Sequence, residues 1–356
     1  MPRIARWALG LAAASLPLAL EAQQPPAADT TPRRRRPEVT RFYDSATPLA
    51  VTLHANLGRL RSDRDTAPAW RWGAITYANA TGGRDSVPVR VRPRGIWRRN
   101  NCRFPPLRID FARATSAGTL FEGLRRPKLV NYCFDDSRGD EYVLQEYQLY
   151  RAYALLTPRA YRARLLWVSY ADSAGRVRTK RHAIVTEDAD AMAARLGGSE
   201  FDGTGLTRAE LDTATYALAA VFQYMIGNVD FSVGGLHNIT LVQVPDALIF
   251  PVPYDFDYAG AVNTHYAVPA PTFRLPNVRT RLFRGPCLPA PTYERVFALL
   301  RERREAIYAL YRDDVGKLLQ PYTVKRTLSY FDEFYEILDD PKRAKRVILD
   351  ACLNDV

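Results

Sequence analysis

The chain is poor in the residues that build most metal centres. Among 356 residues there are 4 histidines, 4 cysteines and 3 methionines. The histidines (His54, His182, His237 and His265) do not cluster with the cysteines, and no two cysteines have CxxC spacing. That argues against zinc. There is no internal repeat, so a repeat array is excluded. Recognition helices, an RRM-like aromatic pair and zinc-finger spacing are also absent, so nucleic acid is not expected as a partner despite a formal net charge of +12. Four of the positive charges, Arg33–Arg36, stand together in a proline-rich stretch that reads as a solvated linker. No glycine-rich phosphate loop is evident, Gly95 in PRGIWRR being the nearest candidate.

What is present begins with an export pattern. Arg3 and Arg6 precede an apolar run, WALGLAAASLPLAL at 7–20, that is too short to span a bilayer comfortably, and Ala22 offers a cleavage point. Residues 1–22 are therefore expected to be a signal peptide and 23–39 a disordered lead-in. The protein would be exported, periplasmic or secreted, with no stable membrane span after cleavage. No cysteine follows the apolar run, which disfavours a lipid anchor. An exported chain with an even cysteine count permits disulfides, and Cys102 with Cys133 and Cys287 with Cys352 is one of three pairings.

The first half alternates in the manner of strands. Strands are expected over 48–55, 70–78, 86–93, 105–112, 127–132, 163–171 and 178–187, with one helix over 141–156 ended by Thr157-Pro158. The segment EDADAMAARLG opens a short helix. A long helix over 206–228 and a strand pair at 238–244 and 247–253 follow. From about 291 the pattern is helical, with YERVFALLRERREAIYALYRDD and then two shorter helices. The expected organisation is α+β: a β-rich N-terminal lobe at 40–190 and an α-rich C-terminal lobe at 191–356, with a ligand cleft between them.

Chemistry-bearing residues fall in a telling order. Lys128 stands on a short strand and Glu146 on the next helix. A strand ends in Glu187-Asp188. Asp230 opens a loop that Asn238 closes. PYDFDYAG, at 253–260, then places Asp255 and Asp257 just past the apolar run LIFPV. Buried carboxylates are costly unless paired or bound to a cation. Strand lysine, helix glutamate, loop aspartate with asparagine, then Asp-Phe is the order of parts in protein-kinase-like phosphotransferases. On this reading Lys128 holds phosphates and Glu146 positions it. Asp230 is the base, and Asn238, Asp255 and Asp257 hold Mg²⁺ or Mn²⁺, which take oxygen ligands. Glu187 divides evenly between a hinge residue beside the nucleotide and a charge at a helix N-terminus favoured by the macrodipole. The cationic stretch Arg94, Arg98 and Arg99 divides evenly between structural pairing and phosphate contact. His237 is expected to be structural, as are Tyr142, Tyr147, Tyr150 and Tyr153.

RPRGIWRRNNCRFPPLRIDF (92–111), IVTED (184–188) and the Asp230…Asn238 loop followed by PVPYDFDYAG resemble, over roughly residues 90–260, the spore coat protein H (CotH) kinase family. The resemblance implies an atypical protein-kinase-like two-lobed fold, ATP with a divalent metal, and phosphorylation of a protein substrate in the cell envelope or outside. Three departures accompany it. Asp230 and Asn238 are eight positions apart, longer than usual. Tyr254 stands where the family often has tryptophan. The family's strand lysine falls near Pro106–Arg108, so its role passes to Lys128 or to Arg108. The alternative is a catalytically inactive envelope protein that binds a partner or nucleotide. A hydrolase built on Asp255 and Asp257 is less favoured, because no histidine-carboxylate cluster supports it.

Overall fold

The computed structural model describes residues 40–79 and 81–354; the expected signal peptide and lead-in lie outside them. Seven strands, β1 Leu49–Ala55, β2 Arg71–Ala78, β3 Arg84–Pro93, β4 Leu107–Phe111, β5 Lys128–Asn131, β6 Ala163–Ala171 and β7 Val177–Thr186, close in the order β1-β2-β3-β4-β5-β7-β6. Neighbours are antiparallel except at the seam, where β1 runs parallel to β6 with Val51 opposite Val168 and Leu53 opposite Tyr170. The expected two-lobed protein-kinase-like fold is thereby corrected: the strands form a closed barrel, not the sheet of a kinase lobe. The reason is the seam, a pairing between segments 117 positions apart that leaves no open edge.

Period-2 alternation explains the barrel's interior. Val51, Leu53, Ile75, Tyr77, Val87, Val89, Val91, Leu107, Ile109 and Phe111 point inward and are nearly inaccessible. β5, β6 and β7 are apolar on both faces. Leu129, Leu166, Val168, Ala183 and Val185 join the barrel core, while Val130, Leu165 and Ile184 join a second core shared with the helices. That second face is covered by the helix Ser137–Leu156, capped by Asp136, whose side chain accepts the Gly139 N–H at 2.9 Å.

A second sheet, ordered β10-β9-β8, is built from β8 Ser199–Phe201, β9 Ile239–Gln243 and β10 Phe250–Pro253. β8 was not anticipated, being only three residues long. The long helix expected over 206–228 starts later, at Thr213–Ile226, because the Asp212 side chain accepts the Thr215 N–H and fixes the first turn there. Helices Ala290–Ala309 and Pro321–Asp339 complete the second core. Both disulfides form with the pairing Cys102–Cys133 and Cys287–Cys352. Among the described residues no helix is long and apolar enough to cross a membrane.

Gly227 ends the buried helix Thr213–Ile226 in the left-handed conformation, at φ 67°, with the Tyr330 hydroxyl directly against the position a Cβ would take. Its carbonyl accepts the Gly260 N–H at 3.1 Å and the Ile226 carbonyl accepts that of Ala261 at 2.9 Å. This turn ties the 228–238 loop to the 255–260 loop. Gly227→Ala should destabilise the fold by roughly 1–3 kcal/mol through backbone strain plus the clash. Gly58→Ala, whose Cβ would meet only Asn56 Oδ1 at 3.7 Å, should be close to neutral. Urea unfolding of the two variants checks the contrast, and equal midpoints would remove the turn from that role.

Candidate functional site

The second sheet and the buried helix deliver two loops to one place. In the first, Asn228 shapes the turn: its Oδ1 accepts the Asp230 N–H at 3.0 Å and its amide donates to Gln223. Ser232 and His237 then exchange backbone bonds of 2.9 and 3.0 Å, which pinches residues 232–237 into a small excursion. The eight-position spacing therefore costs the site nothing. Asn238 returns beside Asp230 and donates from Nδ2 to its Oδ2 at 3.0 Å and to its carbonyl at 2.8 Å. The other Asp230 oxygen lies 3.0 Å from His237 Nε2, so this half-exposed histidine is a partner of the expected base and not merely structural.

In the second loop Asp255 adopts φ 62°, and Asn238, whose carbonyl accepts the Tyr254 N–H at 3.0 Å, adopts φ 52°. Asp and Asn tolerate that region; Leu236, at φ 51°, does so only under strain. Such backbone clusters where structure is held for function. The Asp255 N–H donates to Tyr150 Oη at 2.9 Å. Tyr150 and Glu146 are four apart on the helix Ser137–Leu156, and thus share a face.

Glu146 is buried, and its Oε1 has no hydrogen-bond partner. Burial, then repulsion from Asp255 and Asp257, raises its pKa well above the usual carboxylate range, against the pull of Arg98 and the Phe256 N–H. Burial first and Asp255 next push Asp257 up to about 7, opposed by Arg98 and by a 3.0 Å bond from the Tyr266 hydroxyl. Arg98 stands 3.7 Å from Asp257 and is fixed by donation to the Asn131 carbonyl at 2.6 Å. The Cys102–Cys133 disulfide pins the same segment to the end of β5.

Opposite lies a cationic wall. Arg108 pairs across the ladder with both Arg92 and Lys128, like charges that disfavour one another. Lys128 Nζ sits 4.0 Å from the centre of the Tyr254 ring. Its stem is partly exposed, yet its ammonium is enclosed: burial, then Arg94, lower its pKa to about 7, while Asp255 raises it. Arg94 is lowered by burial and supported by Asp255. The Nε atoms of Arg98 and Arg108 are buried without partners.

The structure thus gathers Lys128, Arg108, Glu146, Asp230, Asn238, Asp255 and Asp257 around one centre. Two expected roles change. Among the described residues Lys128 and Glu146 form no ion pair; Glu146 faces the aspartates instead. Glu187 is held by Arg195 through bonds of 2.9 and 2.7 Å and by the Arg162 N–H at 2.9 Å, so both its oxygens serve the fold. Arg99 turns toward the Thr66 carbonyl, away from Arg94 and Arg98. Sequence reasoning missed Tyr150, which the i, i+4 spacing from Glu146 could have shown, and Tyr266, for which no local signal exists.

Compared with known proteins, the chain matches no family model and no curated protein. Among the described residues no three His, Cys, Asp or Glu side chains converge closely enough to hold a metal ion by themselves. The donor set nevertheless fits a hard cation. It offers carboxylate and amide oxygens, with one orphaned buried oxygen on Glu146, and Mg²⁺ commonly takes one or two carboxylates and completes its shell with water and phosphate.

The raised pKa of Asp257 has a consequence for stability. The folded chain keeps a proton that an unfolded aspartate, at about 3.9, releases. The stabilisation is complete below pH 4 and is lost as pH rises through about 7. Without divalent cation, stability should fall from pH 5 to 7.5, and Asp257→Asn should flatten part of that slope. Chemical unfolding at each pH measures it; an unaltered slope in the variant would assign the proton elsewhere.

Proposed function

We propose that this chain is an exported, metal-dependent phosphotransferase that moves the γ-phosphoryl group of ATP to a protein hydroxyl. One observation carries the reading: Asp255 lies at the junction of a carboxylate pair, Glu146 and Asp257, and a cationic wall, Lys128 and Arg94, and interacts with both. A nucleotide polyphosphate with its cation needs that adjacency of opposite charge. The reading rests on the site and not on the barrel, since one chemistry recurs on unrelated folds. The motif order shared with spore coat protein H kinases supports it, and two disulfides support an oxidising compartment.

Each residue has a task. Lys128, Arg94 and Arg108 hold phosphate oxygens. Asp255, Asp257 and Asn238 Oδ1 would hold Mg²⁺ or Mn²⁺, which when bound offsets phosphate charge. Glu146 keeps the Asp255-Phe256-Asp257 turn in place. Asp230, oriented by His237 and Asn238, receives the proton of the acceptor hydroxyl. A non-catalytic binding protein is favoured by one observation, the lack of a Lys128–Glu146 ion pair among the described residues.

Thermal-shift titration with ATP, with and without Mg²⁺ or Mn²⁺, tests the site, because a ligand of the native state raises the melting temperature. The rise should need metal and vanish in Asp255→Ala; unchanged binding in that variant would sink the metal assignment. Asp230→Asn should bind ATP normally and lower transfer by roughly 10²-fold or more, the scale of a lost general base. A fully active variant would remove Asp230 from catalysis. Metal-dependent binding with no transfer to any protein would select the non-catalytic reading.

A further inference from the structure

A cavity of about 610 Å³ opens on the barrel away from the carboxylates, lined by Leu57, Gly58, Arg61, Asp135, Asp172, Arg178, Thr179 and Arg181. Two of its arginines are unusual. Arg61 lies over the ring of Phe104, 5.4 Å from its centre, and Arg181 over that of Tyr132, at 5.8 Å. The two rings are buried and 5.6 Å apart, so they form one aromatic floor beneath both guanidinium groups. The Nε atoms of Arg61 and Arg181 are buried with no hydrogen-bond partner. Among the described residues neither side chain is in an ion pair. Among the described residues Arg181 donates to the carbonyls of Lys180 and Asp135, at 3.0 and 3.5 Å.

The cavity's acidic groups do not supply the missing partner. Asp172 is committed to Arg178 and Arg176, at 2.6 and 3.1 Å. The Asp135 carboxylate makes no ion pair among the described residues. Two like charges converging over an aromatic floor repel one another, and desolvated donors without acceptors add to the cost. A fork of guanidinium N–H groups has a geometric complement in the oxygens of a phosphate, a sulfate or a carboxylate. The cavity's size is that of a small-molecule site and exceeds a bare ion.

We propose that this cavity binds a small ligand carrying a tetrahedral oxyanion, a phosphomonoester or a sulfate ester, gripped by the guanidinium groups of Arg61 and Arg181. The oxyanion accepts from the terminal N–H groups of both guanidiniums, and the organic part of the ligand fills the remaining space beside Leu57 and Thr179. The site is separate from the Asp255 centre and does not depend on what that centre does.

Glucose 6-phosphate, glucose 6-sulfate and glucose are titrated into the full chain and followed by calorimetry and melting temperature. One or both esters should bind and glucose should not; which ester binds more tightly identifies the source of the oxyanion. Arg61→Gln/Arg181→Gln should weaken binding about tenfold or more, as expected for losing charge-assisted forks. Relief of repulsion should leave the ligand-free variant as stable as the parent. Wild-type protein gives an independent readout. Phenylglyoxal modification of Arg61 and Arg181, mapped by peptide mass, should slow several-fold with the bound ester. The proposal falls if neither ester protects these two arginines, or if protection is confined to Arg94, Arg98 and Arg108.

Discussion

Two carboxylates, Glu146 and Asp257, are buried beside the half-buried Asp255, and much of the surrounding structure answers to that constraint. Burial, then repulsion from neighbouring carboxylates, raises the pKa values of Glu146 and Asp257. Arg98 offsets part of the charge from within the same small volume, and two independent anchors keep it there: the Asn131 carbonyl and the Cys102–Cys133 disulfide. Tyr150 and Tyr266 hold the turn from opposite sides, one at the Asp255 amide and one at the Asp257 carboxylate. The compensation stays incomplete, since Glu146 Oε1 has no partner. A buried carboxylate oxygen left unpaired is costly, and the packing around Glu146 has to bear that cost.

The barrel and the helical core meet through strands that are apolar on both faces. Val130, Leu165 and Ile184 pack against the helix Ser137–Leu156 while Leu129, Leu166 and Val185 fill the barrel. That helix carries Glu146 and Tyr150 inward, and β5 carries Lys128 to the edge of the same space. The position of the acidic and basic groups is thus set by packing on rigid elements, and only the Asp230 and Asp255 loops are free to be irregular. Their irregularity is concentrated at Leu236, Asn238 and Asp255, each in the left-handed region.

Most of the local structure was legible in the sequence. Alternation placed β1 to β7 within a residue or two, because each strand has one face in a core. The chain order of Asp230, Asn238, Asp255 and Asp257 was legible too, and the fold brings Asn238 to Asp230 and sets Asp255 and Asp257 against Glu146. What could not be read is long-range. Nothing in LAVTLHA or ARLLWVSYA says that they pair in parallel to close a barrel. The role of Glu187 was equally opaque, since its partner Arg195 lies on a helix whose docking is a tertiary fact. Glu146 was assigned to Lys128 by analogy, whereas geometry turns it toward the aspartates.

The same distinction bears on charge. An excess of +12 suggests a polyanion partner when it is read as one number. In the folded chain much of the basic content is already spoken for: Arg71 by Asp63, Arg90 and Arg126 by Asp110, Arg159 by Asp212, Arg195 by Glu187. The informative cations are those that packing encloses without a carboxylate. Among the described residues Arg99 and Arg164 are buried without a carboxylate but donate to carbonyls of the fold, whereas Lys128 and Arg108 stand side by side on the ladder and Arg61 and Arg181 share one aromatic floor. A surface arginine without a partner is solvated and carries little meaning, whereas like charges that packing holds side by side raise one another's cost.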